Sequence, residues 1–102
     1  MRRGRTESVD ERERFLATLE AAHVFPGPYT FKVIGDNERR LLEDALAVLR
    51  SALPGEEPAA SRRESERGNH QSITFEVRVP DAVTVHDIYV ELKQLDGTRV
   101  LL

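Results

Sequence analysis

A chain of 102 residues is the length of one domain and, once folded, buries roughly two-thirds of the surface its unfolded form exposes; a second domain is excluded. A net charge of −3 with mixed signs creates no field that gathers phosphate backbones. With no cysteine, disulfide frameworks, thiolate nucleophiles and cysteine-ligated zinc or iron–sulfur centres are excluded as well.

No apolar run approaches the roughly 20 residues that span a bilayer, and the basic start MRRGRTES has no apolar segment behind it. A cytoplasmic chain without membrane contact is therefore expected. Charge is concentrated in two places, nine charged residues among 1–14 and seven among 56–67, which leaves an ordinary apolar composition elsewhere.

Residues 1–7 read as a disordered basic tail. Ser8-Val9-Asp10-Glu11 has the S-x-x-E form of a capping box, and Phe15, Leu16, Leu19 and Ala22 follow at helical spacing. The spacing predicts an amphipathic helix over 8–23, either packed on the main domain or offered to a partner. Pro26, Gly27 and Pro28 end it. Tyr29-Thr30-Phe31-Lys32-Val33-Ile34 then alternates apolar with polar, a strand closed by Gly35.

Asp36 or Asn37 is placed to cap the next helix, whose apolar face is Leu42, Ala45, Leu46, Leu49 and Leu53, flanked by Leu41 and Val48. Pro54-Gly55 terminates it. Residues 58–66 are polar and charged, yet Gly68-Asn69 is a turn signal followed by an alternating strand with Ile73, Phe75, Val77 and Val79 on its apolar phase. A hairpin needs a strand before its turn, so 58–66 is assigned to a charged edge strand. After Pro80, Thr84-Val85-His86-Asp87 resembles a capping box, with Val85, Ile88, Tyr89, Leu92 and Leu95 at helical spacing behind it. Asp96-Gly97 closes that helix, and Thr98–Leu102 forms a short last strand.

The order is a helix followed by β-α-β-β-α-β. That pattern predicts an α+β fold, the ferredoxin-like sandwich: a four-stranded antiparallel sheet in spatial order 4-1-3-2 with two helices on one face, over residues 24–102, plus the N-terminal helix.

On these residues a family likeness stands out. The segments FPGPYTFKVIG (25–35) and GNHQSIT (68–74), with Tyr89, Leu92 and the closing RVLL, resemble the small bacterial YbeD-like family, domain of unknown function 493, across about residues 24–102. The resemblance implies an ACT-type regulatory domain, hence the same fold and small-molecule sensing. His70 departs from the family pattern, which commonly has an aromatic residue two positions after the hairpin glycine.

No catalytic residue is assigned. The serines lie in no G-x-S-x-G elbow, Glu56-Glu57 fall in a solvated segment, and no P-loop or dinucleotide fingerprint occurs. His23, His70 and His86 fall in separate elements without ligand spacing, so neither a metal nor a cofactor is expected. His86 reads as exposed. RNA binding is disfavoured too. Tyr29, Phe31 and Phe75 share the phase that faces the helices, leaving Thr30, Lys32, Ile34, Ser72, Thr74, Glu76 and Arg78 as an open face without a stacking platform.

What remains is binding. The topology brings the end of the first strand, the hairpin and the turn before the last strand to one end of the sheet. The candidate ligand site is therefore Gly35, Asp36, Asn37, Gly68, Asn69, His70, Asp96 and Gly97, suited by its acids and helix-start amides to an amino acid or similar zwitterion. The alternative is protein association, a homodimer or another partner, through the apolar C-terminal edge strand or the N-terminal helix.

Overall fold

The computed structural model describes residues 8–37 and 40–102; the tail expected at 1–7 lies outside the described residues. Helix α1 (Val9–Ala22) begins as its sequence demands. The Glu11 amide donates to the Ser8 hydroxyl at 3.1 Å and the Ser8 amide donates to the Glu11 carboxylate at 3.0 Å. These bonds hold the Glu11 carboxyl below its ordinary value, so the cap is lost as pH falls through that lowered value. His23 closes the helix with its amide on the Leu19 carbonyl.

The sheet comprises β1 (Gly27–Asp36), β2 (Ala59–Glu64), β3 (His70–Val79) and β4 (Thr98–Leu101), all antiparallel, in the order β2-β3-β1-β4. This is the expected 4-1-3-2 arrangement. Helices α2 (Leu41–Ala52) and α3 (Ala82–Lys93) cover one face, burying Phe31, Val33, Ile73, Phe75, Leu41, Ala45, Leu49, Val85, Ile88 and Leu92 completely. The opposite face carries Thr30, Lys32, Ile34, Ser72, Thr74, Glu76 and Arg78, exposed or half-buried. Strand phase is thus as the alternation implies.

Element boundaries differ in three places. Asp36 and Asn37 do not cap α2: β1 runs on through Asp36 because its ladder to β3 continues to the Asp36–His70 pair, and the cap position falls to Arg40, which makes no side-chain cap bond. Leu41, rather than Leu42, therefore leads the buried line with Ala45 and Leu49. Helix α3 is capped three residues before Thr84, since Asp81 accepts the Thr84 amide at 2.8 Å and outcompetes the weaker box at 84–87. That helix ends at Lys93, leaving Gly97, with φ of 90°, to make the turn into β4 instead of a helix cap.

His86 is also not exposed. It retains 7% of its surface because α1 packs over it: Phe15 lies edge-on to the His86 ring at 5.6 Å and to Tyr89 at 5.8 Å, and Leu19 is buried beside them. The Tyr29 hydroxyl donates to that of Tyr89 at 3.1 Å, and Tyr89 donates to the Leu102 carbonyl at 2.9 Å. Burial, the largest cause, pushes the Tyr89 phenol up from its ordinary value.

Further along this edge, β1 meets β4 with a bulge at Arg99, where the pairing shifts from Ile34–Val100 to Gly35–Thr98. Here only glycine fits. A Cβ on Gly35 would stand 2.3 Å from the Gly97 carbonyl oxygen and 2.5 Å from a Leu41 methyl.

Two outcomes follow from this packing. Gly35→Ala should lower stability by about 1–3 kcal/mol, the usual cost of forcing atoms into a filled site, with the melt staying cooperative; an unchanged melting temperature would show that the start of β4 yields freely. A chain lacking residues 1–23 should also keep a cooperative melt, because every strand and both covering helices lie downstream. It should be weakened by roughly 1–3 kcal/mol for each of Phe15, Leu16 and Leu19 lost from α3, and an unfolded product would make α1 part of the core.

Candidate functional site

Three turns converge at one end of the sheet. The Asp36 amide donates to the Gly97 carbonyl at 2.8 Å, and the Asn37 amide to that of Asn69 at 3.2 Å. The Asn37 side-chain amide donates to the Gly68 carbonyl at 3.0 Å. Gly68, with φ of 75°, supplies the left-handed residue of the hairpin, whose loop closes through the Ser65 amide on the His70 carbonyl at 2.9 Å. Asp36, Asn37, Gly68, Asn69 and Gly97 are therefore joined directly.

His70 stands across from Asp36 in the β1–β3 register and is exposed, as is Asp96. Gly35 belongs to the other side of the strand, packed beneath Leu41 and Gly97; it shapes the site and is buried. The start of α2 lies on that helix-covered side, so its amides do not share a face with Asp36 and His70.

Three residues bind this end together that sequence reasoning did not single out. Gln71, 2% exposed, donates to the Asp36 carbonyl at 2.9 Å and accepts from the Arg62 guanidinium. Arg62 also donates to the Asn37 side-chain oxygen and to Glu64 at 3.0 Å. Arg99 donates to the Asp36 carboxylate at 2.9 Å, which raises the guanidinium pKa further. A Gln on the apolar phase of an otherwise hydrophobic strand was the legible signal, since a buried amide requires partners. Arg99 was not legible: only the β4 bulge turns it toward Asp36.

Charges of both signs meet here: Arg62 and Arg99 stand near Asp36, Glu64 and Asp96. Two ion pairs lie at this sheet end: Asp36–Arg99, with side chains 29% and 61% exposed, and Arg62–Glu64, with side chains 36% and 50% exposed. A separate cleft of about 230 Å³ opens near the start of β1, among Pro26, Leu53, Pro54, Glu56, Arg78 and Pro80, and includes none of the expected site residues. Among the described residues no group of three or more His, Asp or Glu is placed to hold a metal ion, and no helix is long and apolar enough to cross a membrane.

Comparison with known proteins agrees with this geometry at the level of fold. The chain is 35% identical over 78 residues to a UPF0250 protein of Shewanella loihica, covering 76% of this chain and 88% of that one. It is 31% identical over 86 residues to a UPF0250 protein of Pasteurella multocida, covering 84% and 97%. The solution structure of protein HP0495 from H. pylori superposes with a TM-score of 0.62 at 16% identity, over 78% of this chain and 85% of its own, which speaks for the shared α+β fold. Residues 20–102 match the family described as "Protein of unknown function (DUF493)", and the chain belongs to that family.

Proposed function

We propose that this protein is a non-enzymatic, regulatory binding module that senses an amino-acid-like metabolite at the end of its sheet. The observation that carries the reading is the Asp36–Arg99 ion pair beside His70. A zwitterion is the one small ligand that can open such a pair and leave neither member alone: its ammonium takes Asp36 and its carboxylate takes Arg99. The pair lies at the surface, Arg99 exposed and Asp36 half-buried, and a pair open to solvent on one side contributes modestly to stability, so exchanging it for the ligand costs the fold little. His70 and Asn69 flank the pair and supply further donors and acceptors. The ACT-type likeness points the same way, as a fold-level analogy.

The test is a titration of amide chemical shifts with the common amino acids, and in parallel with their N-acetyl and methyl-ester derivatives. Free amino acids of the right side chain should move residues 35–37, 68–72 and 95–99 saturably, and blocking either charge should abolish the response. Asp36→Asn should weaken the ligand about tenfold, the equivalent of roughly 1.4 kcal/mol. His70→Ala should cost it about 1–2 kcal/mol if the ring makes one hydrogen bond. No saturable shift with any amino acid would overturn the reading.

The second reading, association through β4, has its own observation. Lys32 and Leu102 exchange both backbone bonds, at 3.1 and 2.9 Å, so the antiparallel pattern turns the Leu101 amide and carbonyl toward the open edge. Val100 and Leu102 remain 44% and 61% exposed on that edge, an unprotected strand that another strand could join. Leu101 itself packs toward the core opposite Val33, so the informative substitution is Val100→Lys. It should convert a dimer to a monomer in sedimentation while the melt is retained; a wild-type chain that sediments as a monomer at high concentration excludes the homodimer.

A further inference from the structure

The open face of the sheet carries a second polar centre, away from the converging turns. Lys32 on β1 pairs across to Thr74 on β3, and Thr74 pairs in turn to Ser61 on β2; one step along, Ser72 pairs with Arg63. These five side chains share the face opposite the helices, and neighbouring strands lie about 4.8 Å apart, so three hydroxyls occupy the middle with a long cation reaching in from either side. They line a depression of about 180 Å³, with Arg62 at its margin.

Two features separate this place from an ordinary solvated face. No carboxylate lines it. Four of the nine arginines among the described residues are engaged by carboxylates, Arg40 with Glu43, Arg50 with Glu57, Arg62 with Glu64 and Arg99 with Asp36. Lys32 and Arg63 pair with no described carboxylate, and among the described residues the hydroxyls of Ser61, Ser72 and Thr74 make no hydrogen bond. Five groups able to donate thus converge without a carboxylate among them. The face is also more basic than β1 and β3 alone make it, because the edge strand adds Arg63 to Lys32 and Arg78 against Glu76.

We propose that this depression binds a phosphate group carried by a small molecule. A tetrahedral dianion offers several acceptor oxygens to the hydroxyls and two negative charges to Lys32 and Arg63. At about 180 Å³ the depression is smaller than the roughly 300–1,000 Å³ of a pocket that encloses a whole ligand; it holds an anionic head group and leaves the remainder in solvent. The face has no aromatic side chain on which a base could stack, which favours a small phosphomonoester over a nucleic acid. The site is separate from the Asp36–Arg99 pair and does not depend on the function proposed for it.

The experiment titrates the full chain with inorganic phosphate and with glycerol 3-phosphate, at constant ionic strength set by chloride, following amide shifts. Saturable movement confined to residues 32, 61–63 and 72–74, with Kd on the order of 1 mM or tighter for the monoester, is expected. Lys32→Gln and Arg63→Gln should each weaken binding about fivefold or more, Lys32→Arg should restore it, and Asp36→Asn should leave it intact. Both positions are exposed, so the melts should be unchanged. Shifts spread over all arginines, shifts insensitive to both substitutions, or a chloride response of equal size would overturn the proposal. Binding to single-stranded RNA that tightens with oligonucleotide length while glycerol 3-phosphate has no effect would overturn it too, assigning the patch to a nucleic-acid backbone.

Discussion

Ten consecutive residue pairs join β1 to β3, from Gly27–Val79 to Asp36–His70, and because side chains alternate along a strand, that register decides almost everything else. It puts Phe31, Val33, Ile73 and Phe75 together under the helices, and by the same step puts Lys32 beside Thr74 and Asp36 beside His70 on the polar side. A slip of one residue would exchange the two sets, driving charge into the core. The cost of that exchange is what makes the polar face a defined surface.

The ends of the register are held by different chemistry. At the converging turns, Gly35 admits the Gly97 carbonyl and Gln71 ties Arg62 to the Asp36 backbone, so the backbone there is set by sterics and buried hydrogen bonds. Asp36 and Arg99 add a charge pair at the surface of that frame. The proposed ligand would find groups positioned beforehand by this hydrogen-bonded frame, with the ion pair at its surface. At the sheet's outer side, α1 is an addition to the sandwich, since most of it precedes the residues matched to the family. It buries His86 and covers part of α3 while Val100 and Leu102 stay exposed.

Fold and strand phase were legible because they rest on period-two and helical patterns that run over many residues, as in Thr30-Phe31-Lys32-Val33 and Leu41–Leu53. Local ends were less so. Asp36 and Asn37 are good capping residues by type, but the β1–β3 ladder claims Asp36 first, and tertiary pairing overrides local propensity. His86 looked exposed because its burial comes from Phe15, seventy-one residues away in sequence. The site itself was half visible. Turn glycines and their neighbours announced the convergence, whereas Arg62 and Arg99, the cations that answer Asn37 and Asp36, depend on an edge strand's register and a bulge that no short-range pattern encodes. The same blind spot hid the phosphate-sized depression: a count of charge on β1 and β3 omits Arg63.

The central claim is that the Asp36–Arg99 pair serves a ligand and not the fold. A melting curve of the Asp36→Asn/Arg99→Gln double variant beside the wild type, each with and without the amino acid that shifts the wild type, tests it most directly. The predicted result is that the two proteins melt together when ligand-free and that only the wild type gains stability on adding the amino acid. A double variant that melts well below the wild type, alongside a wild type that no amino acid stabilises, would contradict it and make the pair a structural strut.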